Sequence, residues 1–250
     1  MSDLAKKVAL VTGGGAGLGR AIAETLGARG ATVAVHYFKS GDGAEQVRAT
    51  LGDRAAVFQA DVTQRDQVQH MVRQVEERLG AVDILINNAG DLIERRSFLD
   101  MPEALFRRVI DVNLTSTFLC CQAVAPSMIG RGAGAIVNMS SLAAHNGGGP
   151  GAFAYAAAKA AIITMTKALA KELAPKGIRV NCVSPGLIGE TQFHGRFTAK
   201  ETFDAMAKTV PLGRAGTPND VAGVVAFLAS DDAAYLVGET IEINGGMFMR

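Results

Sequence analysis

The sequence predicts an α/β fold in which one parallel sheet is covered by helices on both faces. Short apolar runs rich in β-branched residues alternate along the chain with longer segments of helical period. Strands that alternate with helices in this way form βαβ units, and the crossover helices make neighbouring strands parallel. No linker, low-complexity tract or shift in composition divides the 250 residues. The sequence therefore predicts one domain that spans residues 1–250.

Seven strands and six helices account for most of the chain. The predicted strands are Val8–Val11, Thr32–Val35, Ala55–Gln59, Ile84–Ile86, Ala135–Asn138, Ile178–Val183 and Thr240–Ile243. The predicted helices cover residues 17–29, 42–51, 64–79, 102–129, 152–174 and 218–229. The segment 186–210 has no strand character, and we predict an irregular substrate loop or lid there, because long excursions in compact domains usually serve function.

Composition excludes several classes of protein. The chain has 25 Lys and Arg against 24 Asp and Glu without a basic run, so neither nucleic acid nor a membrane surface is expected as a partner. The segment before the first strand is too short for a signal peptide, and no long apolar run predicts a membrane span. Cys120, Cys121 and Cys182 lack metal-type spacing and are expected to be buried and reduced. We expect a cytoplasmic protein without a metal.

A glycine-rich turn connects the first strand to the first helix. Its sequence, Thr12-Gly-Gly-Gly-Ala-Gly-Leu-Gly19, holds five glycines, more than a plain turn needs. Glycines permit a tight turn and let backbone N–H groups approach a pyrophosphate at the positive N-terminus of the helix. The turn therefore predicts a dinucleotide cofactor, bound by Thr12, Gly13, Gly15, Gly17, Leu18 and Gly19.

The residues at the end of the second strand indicate which dinucleotide is bound. An acidic side chain at this point would accept hydrogen bonds from the adenosine ribose and select NAD. Here the first carboxylate after the strand is Asp42, so the sequence favours NADP(H), with NAD(H) as the alternative. The groups available to the ribose and a 2′-phosphate are Tyr37, Phe38, Lys39, Ser40 and Arg20.

A tyrosine and a lysine one helical turn apart could transfer a proton. Tyr155 and Lys159 are four residues apart in an alanine-rich helix, so their side chains share one face. A free tyrosine has a pKa of about 10, and a neighbouring ammonium group should lower the pKa of Tyr155. Tyr155 would then protonate a carbonyl or deprotonate an alcohol. Ser141 would hold the substrate oxygen, and Ser140 is the alternative.

The ordered motifs resemble those of the short-chain dehydrogenase/reductase family over essentially the whole chain. They are Thr12–Gly19, Asp61-Val62, Asn87–Gly90, Asn113, Ser141, Tyr155-x-x-x-Lys159 and Pro185-Gly186. The resemblance implies a Rossmann-type sheet of seven strands in the order 3-2-1-4-5-6-7, with the cofactor beyond the carboxyl ends of the strands. It also suggests a homotetramer. The helix at 152–174 is apolar nearly all round and independently predicts an interface, together with the helix at 102–129.

The resemblance also implies roles for individual residues. Asn113, Ser141, Tyr155 and Lys159 would form the catalytic set, in which Asn113 holds a water that links Lys159 to solvent. Lys159 would also bind the nicotinamide ribose. The other implied cofactor contacts are Asp61 and Val62 at the adenine, Asn88, Ala89 and Gly90 at the sheet centre, and Pro185, Gly186 and Ile188 at the nicotinamide.

Two spacings depart from the family pattern. Ser141 precedes Tyr155 by one position more than usual, and the glycine-rich segment 147–151 is where a loop could absorb that residue. Thr191 follows Pro185 one position later than usual, so its contact with the nicotinamide is left open.

These residues predict an oxidoreductase that interconverts a ketone and a secondary alcohol with NAD(P)(H). A 3-oxoacyl thioester is one candidate substrate; a sugar, a polyol or a hydroxysteroid is the alternative. A silent nucleotide-binding sensor or scaffold is disfavoured, because the complete catalytic set is present. The polar residues Glu94–Arg96 and His145-Asn146 suggest a sugar or an acidic substrate, unless they are solvated charges at the rim. The pocket should be lined by Asp91–Arg96, Leu142–Asn146, Leu187–Phe193 and His194.

Overall fold

A computed structural model describes residues 3–39 and 41–249, without the side chains at 192–194. Seven strands form one sheet in the order β3-β2-β1-β4-β5-β6-β7, and every neighbouring pair is parallel. The predicted fold class and strand order are confirmed. The strands are β1 (Val8–Val11), β2 (Thr32–Tyr37), β3 (Ala55–Gln59), β4 (Ile84–Asn87), β5 (Gly134–Met139), β6 (Ile178–Pro185) and β7 (Thr240–Ile243).

Helices cover both faces of the sheet. In chain order they are α1 (Gly17–Ala28), α2 (Gly41–Leu51), α3 (Arg65–Leu79), α4 (Glu103–Ile110), α5 (Ser116–Arg131), α6 (Ala143–Asn146), α7 (Phe153–Leu173), α8 (Gln192–Phe197), α9 (Lys200–Thr209) and α10 (Pro218–Ala229). A π-helical turn, Asp111–Thr115, joins α4 to α5.

The core consists of two apolar layers that the sheet separates. The layer on one face contains Ile22 of α1 and Val225 of α10, and the layer on the other contains Met71 of α3 and Val124 of α5. All four residues of β1 are buried, which agrees with a strand covered on both faces. The three cysteines are buried and free, as expected. Burial on both faces leaves the ends of the strands as the place for polar chemistry.

The predicted element boundaries agree with the structure to within about two residues, with one clear error. The segment 186–210 is not an irregular loop, because it contains the helices α8 and α9. Helix-forming residues and an ion pair between Lys200 and Asp204, four positions apart and 2.6 Å between nitrogen and oxygen, favour α9. At α10 the Thr217 side chain and Asp220 form a reciprocal capping box behind Pro218.

The segment Glu103–Arg131 is a single long helical unit with the π-turn inside it. By length and composition alone, this one segment among the described residues could cross a membrane. In the fold it belongs to a layer on the sheet, where Leu119, Val124 and Met128 are buried in the core. The π-turn displaces the helix locally at Asn113, which brings that side chain to the end of β4.

Arg179, near the start of β6, fastens the end of α10 to the sheet. Its guanidinium donates hydrogen bonds to the carbonyls of Leu228 (2.8 Å), Ser230 (2.9 Å) and Ala233 (3.1 Å). The last carbonyls of a helix have no partner within the helix, and Arg179 supplies a charged donor to Leu228 of α10 and to two carbonyls of the turn that follows it.

Replacing Arg179 by Met should lower the free energy of unfolding by about 2–4 kcal/mol, because three carbonyls lose a charged donor. Urea denaturation followed by circular dichroism measures the change. The control is Arg48→Met, which removes only an exposed ion pair with Glu45 and should cost less than about 0.5 kcal/mol. Equal free energies of unfolding for the two variants would contradict the stabilising role of Arg179.

Candidate active site

A cavity of about 1410 Å³ opens at the carboxyl ends of the strands. Loops that follow β1 to β6 form its walls, and residues of the 196–206 segment also line it. The strand order reverses direction between β1 and β4, and this reversal point is where open parallel sheets bind their ligands.

The glycine turn after β1 is packed too closely for side chains at several positions. A Cβ atom at Gly19 would lie 2.1 Å from the carbonyl oxygen of Gly13, and one at Gly15 would lie 2.8 Å from the backbone nitrogen of Ala44. Gly13 also has a φ of +63°, which favours glycine. Because these positions are glycines, the turn can pack closely against the start of α1.

The N-terminus of α1 is suited to an anion. Neither a side-chain cap nor an acidic residue in the first turn occupies the first N–H groups of this 12-residue helix. Gly13, Gly17, Leu18 and Gly19 line the cavity beside it. A helix N-terminus without a side-chain cap, preceded by a glycine-rich turn, is suited to bind the pyrophosphate of a dinucleotide.

His36, at the end of β2, is a site residue that the sequence reasoning missed. Its side chain is 1% exposed and lies between two backbone groups. Nδ1 accepts from the N–H of Gly13 (3.0 Å), so Nε2 carries the proton and donates to the carbonyl of Ala60 (3.0 Å). Burial lowers the pKa of His36, which keeps the ring neutral at pH 7. The signal in the sequence that could have identified this residue was a single histidine within an apolar strand.

Thr12 connects the turn after β1 to the loop after β4 from behind the cavity wall. Its hydroxyl donates to the carbonyl of Ile86 (3.1 Å) and accepts from the backbone N–H groups of Asn88 (2.9 Å) and Ala89 (3.0 Å). The Asn88 side chain donates to the carbonyls of Thr12 (2.9 Å) and Gly13 (3.2 Å). Asn88, Ala89 and Gly90 line the cavity as predicted, whereas Thr12 supports them.

Most of the residues predicted to contact the adenosine line the cavity. Asp61 and Val62 line it, and one carboxylate oxygen of Asp61 accepts from the Thr63 backbone N–H (2.9 Å) and hydroxyl (2.7 Å). Phe38 and Lys39 also line it, with the Lys39 ammonium nitrogen 5.5 Å from the centre of the Phe38 ring.

Three residues predicted to be near the cofactor do not line the cavity. Gly15 packs on α2, and the Tyr37 ring packs against Gly41 at the start of that helix, so both face away from the cavity. Arg20 is engaged by Glu24 (2.8 Å) and Gln46 (2.9 Å) on the outer side of α1. Ser40 lies outside the described residues.

Ser141, Tyr155 and Lys159 meet at the inner end of the cavity. The Ser141 hydroxyl hydrogen-bonds to the hydroxyl of Tyr155. Lys159 donates from Nζ to the carbonyl of Met139 (2.8 Å), and Nζ lies 5.6 Å from the centre of the Tyr155 ring. Ser140 instead donates to the backbone carbonyl of Lys159 (2.8 Å). The geometry therefore selects Ser141 over Ser140 as the partner of Tyr155.

The proton affinities of this group differ from the sequence-based prediction. Burial raises the pKa of Tyr155 to about 12, the hydrogen bond from Ser141 lowers it only in part, and the Asp91 charge raises it further. Burial also lowers the pKa of Lys159 to about 8. The predicted lowering of the Tyr155 pKa is wrong for the free protein, because burial disfavours the charged form of both residues. Tyr155 therefore carries its proton at neutral pH.

Asn113 lies behind this group in the π-turn. Its side-chain nitrogen donates to the carbonyls of Asp91 (2.7 Å) and Val109 (2.8 Å). Its side-chain oxygen is buried and has no hydrogen-bond partner among the described residues. A Cβ atom at Gly90 would lie 2.6 Å from that oxygen and 3.2 Å from Nζ of Lys159, so the two polar groups face a common space.

The charged residues expected at the substrate rim hold loops together. Arg95 donates to the carbonyls of Phe197 (3.1 Å) and Pro150 (2.7 Å), and Arg96 pairs with Glu94 (2.6 Å). Both arginines that suggested a polar substrate therefore have partners within the protein.

His145 was also expected in the pocket, but its side chain does not line the cavity. It pairs with Glu242 on β7 (3.0 Å) and stacks on Phe248 with ring centres 4.3 Å apart, whereas Asn146 lines the cavity. In the following loop, Gly147, Gly148 and Gly151 all have positive φ, which lets this segment absorb the extra residue before Tyr155.

The loop after β6 closes the cavity opposite the glycine turn. Pro185, Gly186, Leu187 and Ile188 line it, and a Cβ atom at Gly186 would lie 2.6 Å from the side chain of Asn244. The Thr191 hydroxyl donates to the carbonyl of Ile188 (3.3 Å), and its side chain lies 3.8 Å from a Cβ placed on Gly17. The side chains of Phe193 and His194 lie outside the described part of the chain.

Comparisons with known proteins give a family for this fold and site. Residues 13–248 match a family model described as enoyl-(acyl carrier protein) reductase. The chain is 42% identical over 246 residues to a 3-oxoacyl-(acyl-carrier-protein) reductase of Staphylococcus epidermidis, covering 97% of this chain and 99% of the relative. It is 39% identical to a reductase of the same name from Synechocystis and 40% identical to nodulation protein G of a Rhizobium, each over the full length of both chains.

The residues matched by the family model include Gly13–Gly19, the Ser141–Tyr155–Lys159 group and strands β2 to β7. The chain belongs to the short-chain dehydrogenase/reductase family of oxidoreductases, which act on carbonyl and alcohol groups.

Proposed function

We propose that this chain is an NADPH-dependent 3-oxoacyl thioester reductase. The observation that carries the proposal is the group of Ser141, Tyr155 and Lys159, in which Ser141 hydrogen-bonds to Tyr155, on the wall of a dinucleotide-sized cavity. A protonated phenol at neutral pH is suited to donate a proton to a carbonyl oxygen, which is the reductive direction. The names of the Staphylococcus and Synechocystis relatives support a 3-oxoacyl group as the substrate.

The residues that would hold the cofactor follow the length of the cavity. The glycine turn and the start of α1 would bind the pyrophosphate, and Asp61 with Val62 would bind the adenine. Lys39 would pair with the 2′-phosphate. Lys159 would bind the nicotinamide ribose, and residues 185–188 would border the nicotinamide. When bound there, the nicotinamide would supply a hydride to the substrate carbon.

The protein's own residues supply the proton. Ser141 orients the substrate carbonyl oxygen, and Tyr155 donates its hydroxyl proton to that oxygen as the alcohol forms. Lys159 stabilises the phenolate that results. The unpaired oxygen of Asn113 and Nζ of Lys159 face a common space, which would suit a water molecule that returns a proton to the site.

The substrate side of the cavity favours an acyl chain over a sugar. Leu92, Ile93, Leu142, Phe197 and Met206 contribute apolar side chains to its wall. The arginines that could have recognised an acid are engaged by neighbouring groups. The sugar or polyol alternative is therefore less well supported than the thioester.

We also propose that residues 1–250 form one domain and that the segment 186–210 is a substrate lid. We infer that α8 and α9, at the cavity mouth, cover the substrate. The enzyme would act in the cytoplasm on a small carbonyl compound, as inferred from its composition and its relatives.

Tyr155→Phe should lower turnover of an acetoacetyl thioester by about two orders of magnitude or more, because the general acid is lost. Loss of reduced-nicotinamide absorbance measures the rate, and quenching or enhancement of NADPH fluorescence measures binding, which should change little. Tyr235→Phe, at a fully exposed tyrosine, is the matched control and should retain the parental rate. Parental turnover in Tyr155→Phe would contradict the mechanism.

Lys39→Ala should weaken NADPH binding by about tenfold and leave NADH binding unchanged, since only the phosphate loses a charged partner. Fluorescence titration with each nucleotide measures both constants. Lys176→Ala, at an exposed lysine remote from the cavity, provides the control. The assignment of NADPH would be overturned if the substitution weakened the binding of both nucleotides equally, or if the parent protein bound NADH more tightly than NADPH.

We also infer a homotetramer. Ala157, Thr164 and Ala168 on α7 are exposed small residues, and Phe106 and Phe118 on α4 and α5 expose aromatic surface that association would cover. Ala157→Arg should reduce the assembly, because a large charge would enter a close helix contact. Light scattering on the eluted peak should give four times the mass of one chain for the parent and a smaller mass for the variant. A monomeric parent at micromolar concentration would contradict the inference.

A further inference from the structure

The residues that follow β7 bring one apolar side chain back to the cavity. We call residues 244–249 the C-terminal segment. Met247 of this segment is half-buried and lines the cavity, whereas Met249 is 75% exposed and does not. A methionine side chain cannot transfer a proton or pair with a phosphate. What Met247 contributes to the cavity is therefore apolar surface and shape.

The order of the strands places the C-terminal segment far from the adenosine. Phe38 and Asp61, which are predicted to contact the adenosine, follow β2 and β3 near one edge of the sheet. The C-terminal segment follows β7, which is the opposite edge strand. Neighbouring strands lie about 4.8 Å apart, so β2 and β7 are separated by about 24 Å across the sheet. Met247 therefore belongs to the substrate end of the cavity.

Backbone contacts join the C-terminal segment to two other walls of this end. The N–H of Gly186, in the loop that would border the nicotinamide, donates to the carbonyl of Ile243 (2.9 Å). The N–H of Leu212, just after α9, donates to the carbonyl of Gly245 (3.0 Å). Gly245 has a φ of +63°, and a Cβ atom there would lie 2.6 Å from the side chain of Val210. The segment is thus packed between the loop after β6 and the end of α9.

Side-chain contacts determine the path of the segment on both sides of Met247. Oδ1 of the buried Asn244 accepts from the N–H groups of Gly246 (3.0 Å) and Phe248 (3.4 Å), and Nδ2 donates to the carbonyl of Phe248 (3.1 Å). The Phe248 ring stacks on His145 of α6, with ring centres 4.3 Å apart and 9° between the planes. Because the residues before and after it are held, Met247 forms a fixed part of the wall.

We propose that Met247 is a specificity-determining residue, which limits the length of the acyl chain that the site accepts. The proposal rests on the proposed function, in which a 3-oxoacyl thioester is the substrate. Ser141 and Tyr155 would hold the ketone, so the additional carbons of a longer chain must find space along the apolar wall. Leu142 and Met206 line the same cavity and extend that wall. The volume of the side chain at position 247 then decides how many carbons fit.

The test compares kcat/KM for two thioesters of the same carrier, 3-oxo-octanoyl and acetoacetyl, with NADPH. Met247→Ala enlarges the site and should raise the ratio of the longer to the shorter substrate by about tenfold. Met247→Phe should lower this ratio by a similar factor, because a larger ring occupies the space of the chain. Met247→Leu conserves the volume and should keep the ratio within about twofold of the parental value.

Two controls show that a change in the ratio comes from the cavity wall. Met249→Ala removes a methionine of the same segment that does not line the cavity, and it should keep the parental ratio. NADPH binding, measured by fluorescence titration, should be the same in all variants, because the segment is remote from the adenosine. This titration also shows that each variant is folded.

The outcomes separate this proposal from the proposed function. If the parent reduces acetoacetyl thioester and the ratio is unchanged in Met247→Ala and Met247→Phe, the role of Met247 is overturned and the proposed function stands. Shifts of the same sign in these two variants would also overturn it, because they would reflect disturbed packing rather than side-chain volume. A parent that reduces neither thioester would contradict the proposed function, and the role of Met247 would fall with it.

Discussion

Burial of the sheet on both faces is the constraint on which the rest of the structure depends. Two apolar layers enclose the parallel strands, so the strand ends are where polar groups can collect without a large cost in desolvation. The reversal of strand order between β1 and β4 then opens a crevice at the carboxyl ends. Thr12 joins the two loops at that point through its hydroxyl. The glycine turn, His36 and the Tyr155 group all depend on this arrangement.

The same burial determines the chemistry of the site. It keeps the proton on Tyr155 and reduces the proton affinity of Lys159, so the free protein holds a proton donor ready for a carbonyl. The hydrogen bond from Ser141 and the charge of Asp91 act on Tyr155 in opposite directions. The fold and the proton transfer at Tyr155 therefore follow from one low-dielectric pocket.

Local periodicity predicted the strands and most helices, because buried parallel strands and amphipathic helices leave strong patterns. The motifs also located Ser141, Tyr155 and Lys159. Sequence reasoning failed where tertiary contacts decide the outcome. It suggested a polar substrate at Arg95, whose guanidinium donates to carbonyls of α8 and of the loop before α7. It overlooked His36, whose role depends on an N–H that only the folded glycine turn brings within reach.

The most direct test of the central claim is turnover of the parent enzyme with NADPH on two thioesters of the same carrier and chain length. One is acetoacetyl, with a ketone to reduce, and the other is crotonyl, with a carbon–carbon double bond, which the description of the matched family model suggests. The account predicts consumption of NADPH with the acetoacetyl thioester and little with the crotonyl thioester. Turnover with the crotonyl thioester alone would contradict ketone reduction as the function of the Ser141–Tyr155 pair.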